Sequence, residues 1–251
     1  MKSALPKKLK KEPLIDAICE IRFIPESSDA IVSEILPGIF FGQLTGNKSI
    51  VSLPASQLPK ALRDSDPALM FTPTIQVIWN NFYINIGNRS ISIGGELPYP
   101  GWFNFKQAII DVLDIVQQSN LLKSVERCSV KYIDLLESIN IAEQINFLNF
   151  SCQLGGQEIQ QPFTFRTENK NDDIINIIQL IASVKVDIKK QGLKEGLIVD
   201  VDTIMNMENI LFPSFMKSLA STLERLHEVN KKTFFGCLKK ETIQLLEPIY
   251  E

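Results

Sequence analysis

The segment YPGWFNFKQAIIDVLDIVQQSN, residues 99–120, followed by VERCSVKYID, residues 125–134, decides how this chain folds. Pro98, Pro100 and Gly101 break any element that runs into it. Beyond them apolar residues fall at Trp102, Phe105, Ile109, Val112, Leu113 and Val116. That three-and-four spacing is one face of a helix, with Lys106, Asp111, Asp114 and Gln118 on the other. Ser119 and Asn120 end the pattern, and asparagine tolerates a helix C-terminus. From Val125 the period drops to two, with Cys128, Val130 and Tyr132 on one face and Arg127, Ser129 and Lys131 on the other. The chain is expected to send a helix across a flat surface and to return as a strand.

The flat surface is encoded just upstream. Ile75, Val77 and Trp79 alternate up to Asn80-Asn81, then Phe82, Ile84 and Ile86 up to Gly87-Asn88, then Ile91 and Ile93. Three short strands and two tight turns predict an antiparallel meander. Its polar face carries Gln76, Tyr83, Asn85, Ser90 and Ser92, and its apolar face is to be covered by the 102–116 helix.

The rest follows the same grammar. Ala17, Cys19, Ile21 and Phe23 alternate with Ile18, Glu20 and Arg22 in a strand stopped by Pro25. Ser27, Ser28 and Asp29 offer an N-cap for an apolar-rich helix through Ile31, Ile35 and Phe40, interrupted at Pro37-Gly38. Residues 46–66 look like loop. Residues 147–154, 162–167, 174–186 and 197–204 are predicted strands. Pro213-Ser214 then opens a helix with Phe215, Leu219, Leu223 and Leu226 on one face, and residues 233–236 break it before a last short helix near Thr242.

The expected fold class is therefore α+β: antiparallel β-meanders, each covered by a long amphipathic helix, in two similar halves of one compact unit. The divisions read are a basic flexible N-terminal arm at 1–12, an N-terminal half at 13–140 and a C-terminal half at 141–251.

Composition narrows the function classes. In 251 residues, 45% hydrophobic and 22% charged content is globular and argues against disorder. No apolar run reaches the ~18 residues a transmembrane helix needs, so no membrane partner is expected. The lysine-rich start, Lys2 to Lys11, lacks the apolar stretch of a signal peptide. Cys19, Cys128, Cys152 and Cys237 form no close pair, so free thiols in a reducing cytoplasm are expected. Five lysines against Glu12 give residues 1–12 a net +4 in a chain of net −3. Such an arm reads either as a solvated tail or as a weak nucleic-acid contact.

Few residues point to chemistry. His227 is the only histidine, so a multi-histidine metal site is excluded, and no metal or cofactor is expected. Asp200 and Asp202 leave the same face of a strand. They read either as a carboxylate pair for a divalent ion or acid–base work, or as a polar face answered by Lys185 or Lys131. Glu20 and Arg22 share that spacing with opposite charge: alone they read as a cross-strand ion pair, and with Arg127 as the lining of an anion-binding groove. Gly94-Gly95 and Gly155-Gly156 lack the Gly-Lys-Ser/Thr of a phosphate loop and read as turns.

Taken in order, Pro13 to Ala17 running into Glu20 to Phe23, then Tyr99, Pro100, Gly101, Trp102 and Phe105, resemble the TIGR04255 family of sporadically distributed prokaryotic proteins. Arg127 to Tyr132 with Ile133 and Asp134, Asp200 with Asp202, Leu226-His227, Phe234 and Thr242 extend the resemblance over nearly the whole chain. Asp134 stands where the family pattern expects asparagine. The resemblance implies one unit, no named reaction, and genes that travel as accessory, mobile-element or phage-defence components do. The polar candidates are then Glu20, Arg22, Arg127, Asp134, Asp200 and Asp202. Tyr99, Gly101, Trp102, Phe105, Tyr132, His227 and Phe234 are structural anchors. A non-catalytic interaction or assembly protein, bound to another protein or to itself, is the reading preferred. A small carboxylate-site enzyme, or a nucleotide or nucleic-acid sensor using the basic arm, are the alternatives.

Overall fold

Alternation and helical spacing sort the chain into strands and helices in the computed structural model, which describes residues 5–27, 31–188 and 191–250. The strands are β1 (Lys8–Leu9), β2 (Leu14–Pro25), β3 (Lys48–Ser52), β4 (Ile75–Trp79), β5 (Phe82–Ile86), β6 (Ser90–Gly95) and β7 (Leu122–Glu137). They continue with β8 (Gln153–Leu154), β9 (Gln157–Glu158), β10 (Thr164–Asn171), β11 (Ile174–Ile188), β12 (Gly192–Leu211) and β13 (Pro248–Ile249). The helices are α1 (Val32–Gln43), α2 (Lys60–Ser65), α3 (Trp102–Ser119), α4 (Ile141–Asn146), α5 (Phe212–Cys237) and α6 (Lys240–Leu245). The fold is α+β. Nine strands are hydrogen-bonded neighbours in the order β10-β11-β12-β7-β2-β6-β5-β4-β3.

Two compact units divide the chain, and they interleave where sequential halves were expected. The meander unit holds Ala17–Val130 and Ile204–Leu226. The terminal unit holds Met1–Asp16, Lys131–Thr203 and His227–Glu251.

In the meander unit the predicted hairpins form. Val77 lies opposite Ile84, and Ile84 opposite Ile93, so one apolar face runs across the three strands. Asn80 takes a left-handed φ of 52° in the first turn, where a two-residue loop requires positive φ. Helix α3 buries Phe105, Ile109, Val112, Leu113 and Val116 of the expected stripe, while Trp102 at its start is half-buried. Gly101 enters that helix at φ 84°, a region open to glycine. Gly94 and Gly95 are not a turn: they lie inside β6, opposite Tyr83 and Phe82. A Cβ on Gly94 would fall inside the Tyr83 ring, so the missing side chain makes room for the aromatic.

Helix α1 is not interrupted at Pro37, which lies within it. Of the expected N-cap, Ser28 and Asp29 lie outside the described residues. The first turn is held from elsewhere: Asn88 Oδ1 accepts from Ser33 N at 3.2 Å and from Ser33 Oγ at 2.9 Å. Residues 46–66 are not all loop either. They contain β3 and α2, and β3 has no apolar alternation by which to be noticed.

In the terminal unit, Leu136, Leu148, Leu180, Leu197, Val199 and Val201 form a core with Phe234 and Phe235. Residues 233–236 therefore extend α5 instead of breaking it. The helix face continues through buried Asn230, whose Nδ2 donates to Val201 O at 2.7 Å. Residues 147–154 are not one strand: Leu148 makes an isolated antiparallel bridge to Leu238, and Gln153–Leu154 pair with Gln157–Glu158. The carbonyl of Phe147 is taken by the start of α6, accepting from Lys239 N at 3.0 Å and Thr242 Oγ1 at 2.8 Å. Gly155 and Gly156 make the expected turn, with φ 59° and 78°. The basic segment is tied down within residues 7–11. Lys8 and Leu9 pair Ile249 and Pro248, Leu9 is buried, and Lys11 meets Glu247 at 3.0 Å.

Candidate functional site

Alternation places polar side chains from every strand on the meander face that α3 does not cover. Cross-strand register sets Gln76 opposite Asn85, Asn85 opposite Ser92, and Ser92 opposite Glu20. Gln76 Nε2 donates to Asn85 Oδ1 at 2.8 Å, and Asn85 Nδ2 to Ser92 Oγ at 3.2 Å. The row ends in charge. Glu20 accepts from Arg22 Nε at 2.7 Å and lies 4.0 Å from Arg127 Nε. Arg22 also covers the Phe71 ring at 4.2 Å, with Arg89 at 5.5 Å and paired to Glu126 at 2.7 Å. Glu20, Arg22 and Arg127 thus come together as an ion-paired cluster.

The other three polar candidates belong to the terminal unit. Asp200 is held by Lys131 at 2.8 Å, one of the two partners expected, while Lys185 reaches Glu195 at 3.5 Å. Asp134 is buried, and burial pushes its carboxyl well above the ordinary range, with Glu12 and Asp200 adding in the same direction. Asp202 is half-buried on β12, two residues from Asp200. Among the described residues, no three His, Cys, Asp or Glu side chains gather as a metal would require.

Phe105 meets the Tyr99 and Trp102 rings edge-on at 6.0 and 6.3 Å. Trp102 Nε1 donates to Glu224 at 3.0 Å, and Lys106 pairs with the same carboxylate at 2.6 Å. His227 meets the Tyr132 hydroxyl, and Phe234 stands edge-on to Phe235. A cleft of about 330 Å³ is lined by Glu12, Glu137, Glu143, Phe147, Thr242 and Leu246 among others, at the foot of α4 and α6.

The feature missed in the sequence is an open strand. β3 and β10 end the strand order. β10 carries Arg166, Glu168 and Lys170, the charge that discourages an edge from recruiting another strand. β3 reads Lys-Ser-Ile-Val-Ser, with Ile50 46% and Val51 42% exposed. Its one charge is turned away: Lys48 Nζ donates to Phe41 O at 2.6 Å and to Leu44 O. A run with β-branched residues between Asn47 and Pro54 was the available signal.

No protein-family model matches the chain, and no curated protein matches its sequence. Among the described residues, no helix is long and apolar enough to cross a membrane.

Proposed function

We propose that this protein is a non-catalytic interaction or assembly component that takes an added β-strand along Lys48–Ser52. One observation carries the reading: an edge strand with exposed apolar side chains and no outward charge stands at the end of a sheet whose other edge is charged. Backbone N–H and C=O groups along such an edge supply affinity, and the alternate side chains supply selectivity. The candidate carboxylates support this reading over an enzyme, because Asp200 is ion-paired and Asp134 is buried. The resemblance to the TIGR04255 family supports placing the protein in a prokaryotic accessory system, of the mobile-element or phage-defence kind, and in the cytoplasm.

The test is association of the purified, tagged protein with and without Ile50→Lys, followed by native capture and light scattering. Association that Ile50→Lys removes supports the reading. Association unchanged by that substitution, or none in the wild type, overturns it.

A further inference from the structure

The ladder between β3 and β4 fixes which backbone groups of the open edge point outward. Leu53 N donates to Thr74 O, and Asn80 N to Asn47 O. With Ile50 opposite Val77, odd-numbered residues of β3 exchange hydrogen bonds with β4. The N–H and C=O groups of Lys48, Ile50 and Ser52 therefore point away from β4.

From this parity we infer that the added strand is β3 of a second copy, antiparallel and centred on Ile50. This rests on the strand-addition reading above and names its partner. A two-fold axis at Ile50 makes Ile50 face Ile50 of the second copy as a hydrogen-bonded pair, and sets Lys48 opposite Ser52 on either side. All three outward-pointing residues are then used, and none is left over. Ser49 falls opposite Val51. No like charges meet, because the only charge in the strand sits opposite a serine and is already held by α1 carbonyls. Ile50 shares the face of buried Val77, so two half-exposed isoleucines would close the uncovered end of one apolar face.

The opposite edge does not self-pair in the same way about its central glutamate. Self-pairing of β10 about Glu168 would set glutamate against glutamate and Arg166 against Lys170, and like charges directly opposite are destabilising.

Sedimentation equilibrium of the full chain over about 1–100 μM, the range expected of a small interface, tests this pairing. Wild type is expected to move from 28.4 kDa toward twice that mass. Ile50→Lys and Ile50→Glu are each expected to weaken self-association by about tenfold or more, since each sets like charges at the axis. Mixing the two variants is expected to restore it, which also shows that both are folded. Independently, Ile50→Cys in a Cys152→Ser, Cys237→Ser background is expected to crosslink under mild oxidation. Its two Cα atoms would lie about 5.5 Å apart, within disulfide reach. A monomeric wild type overturns the inference, as does a dimer indifferent to the charged variants, or a mixture that stays monomeric. If the wild type is monomeric and Ile50→Lys still abolishes capture of another protein, strand addition stands and the second copy alone is wrong.

Discussion

The hydroxyl of Tyr132 lies 3.0 Å from Nδ1 of His227, with the two rings edge-to-face at 5.8 Å. It joins strand β7 to helix α5 across 95 positions of sequence. Tyr132→Phe keeps the ring and removes the bond. It is expected to lower the unfolding free energy by about 0.5–1.5 kcal/mol. A double-mutant cycle with His227→Ala, read from urea midpoints, should show coupling of that size. Simple additivity would show that the contact contributes nothing.

Asp134 makes stability fall as pH rises. A carboxyl whose folded pKa lies above its unfolded value favours the fold below that unfolded value, about 3.9. The contribution is lost as pH rises through the folded pKa, which burial first, then Glu12 and Asp200, have pushed up. Asp134→Asn keeps the shape without the charge. It is expected to raise the unfolding free energy at pH 8 by about 1 kcal/mol or more, since one pKa unit is worth about 1.4 kcal/mol. The gain should shrink as pH falls toward 4. A variant no more stable than wild type at pH 8 would refute this.

Gly94 and Tyr83 are a cross-strand pair in which the ring occupies the space of the missing side chain. Gly94→Ala should cost about 1–3 kcal/mol by overpacking. The cost should be smaller in a Tyr83→Ala background, where the ring is gone. Equal costs in both backgrounds would place the penalty in the backbone.

Burial pushes the Cys237 thiol up to about 11. At pH 8 only about one molecule in a thousand then carries the reactive thiolate. Cys237→Ser should leave the fast phase of labelling by an aromatic disulfide reagent unchanged. Loss of a fast-reacting thiol in that variant would contradict it.

Much of the fold is legible in the sequence alone. The α3 stripe, the alternation of β2 and the three-stranded meander report which face of each element is buried, and that depends only on residues a few positions apart. Residues 233–236 misled because α5 carries its core face through a buried asparagine, whose partner, Val201 O, lies on a distant strand. β3 was missed because an edge strand paired on one side needs no apolar alternation.

By itself, then, the sequence determined the α+β class, the meander, and the long helix that covers it, because side-chain period is a local property of the backbone. Only the tertiary structure decided that Arg127 joins the Glu20–Arg22 pair, that Asp134 is buried beside Glu12 and Asp200, and that Lys48, Ile50 and Ser52 turn their backbone groups outward. Those facts depend on register between strands far apart in the chain. A shift of one residue exchanges the two faces and the two edges while leaving every local pattern intact.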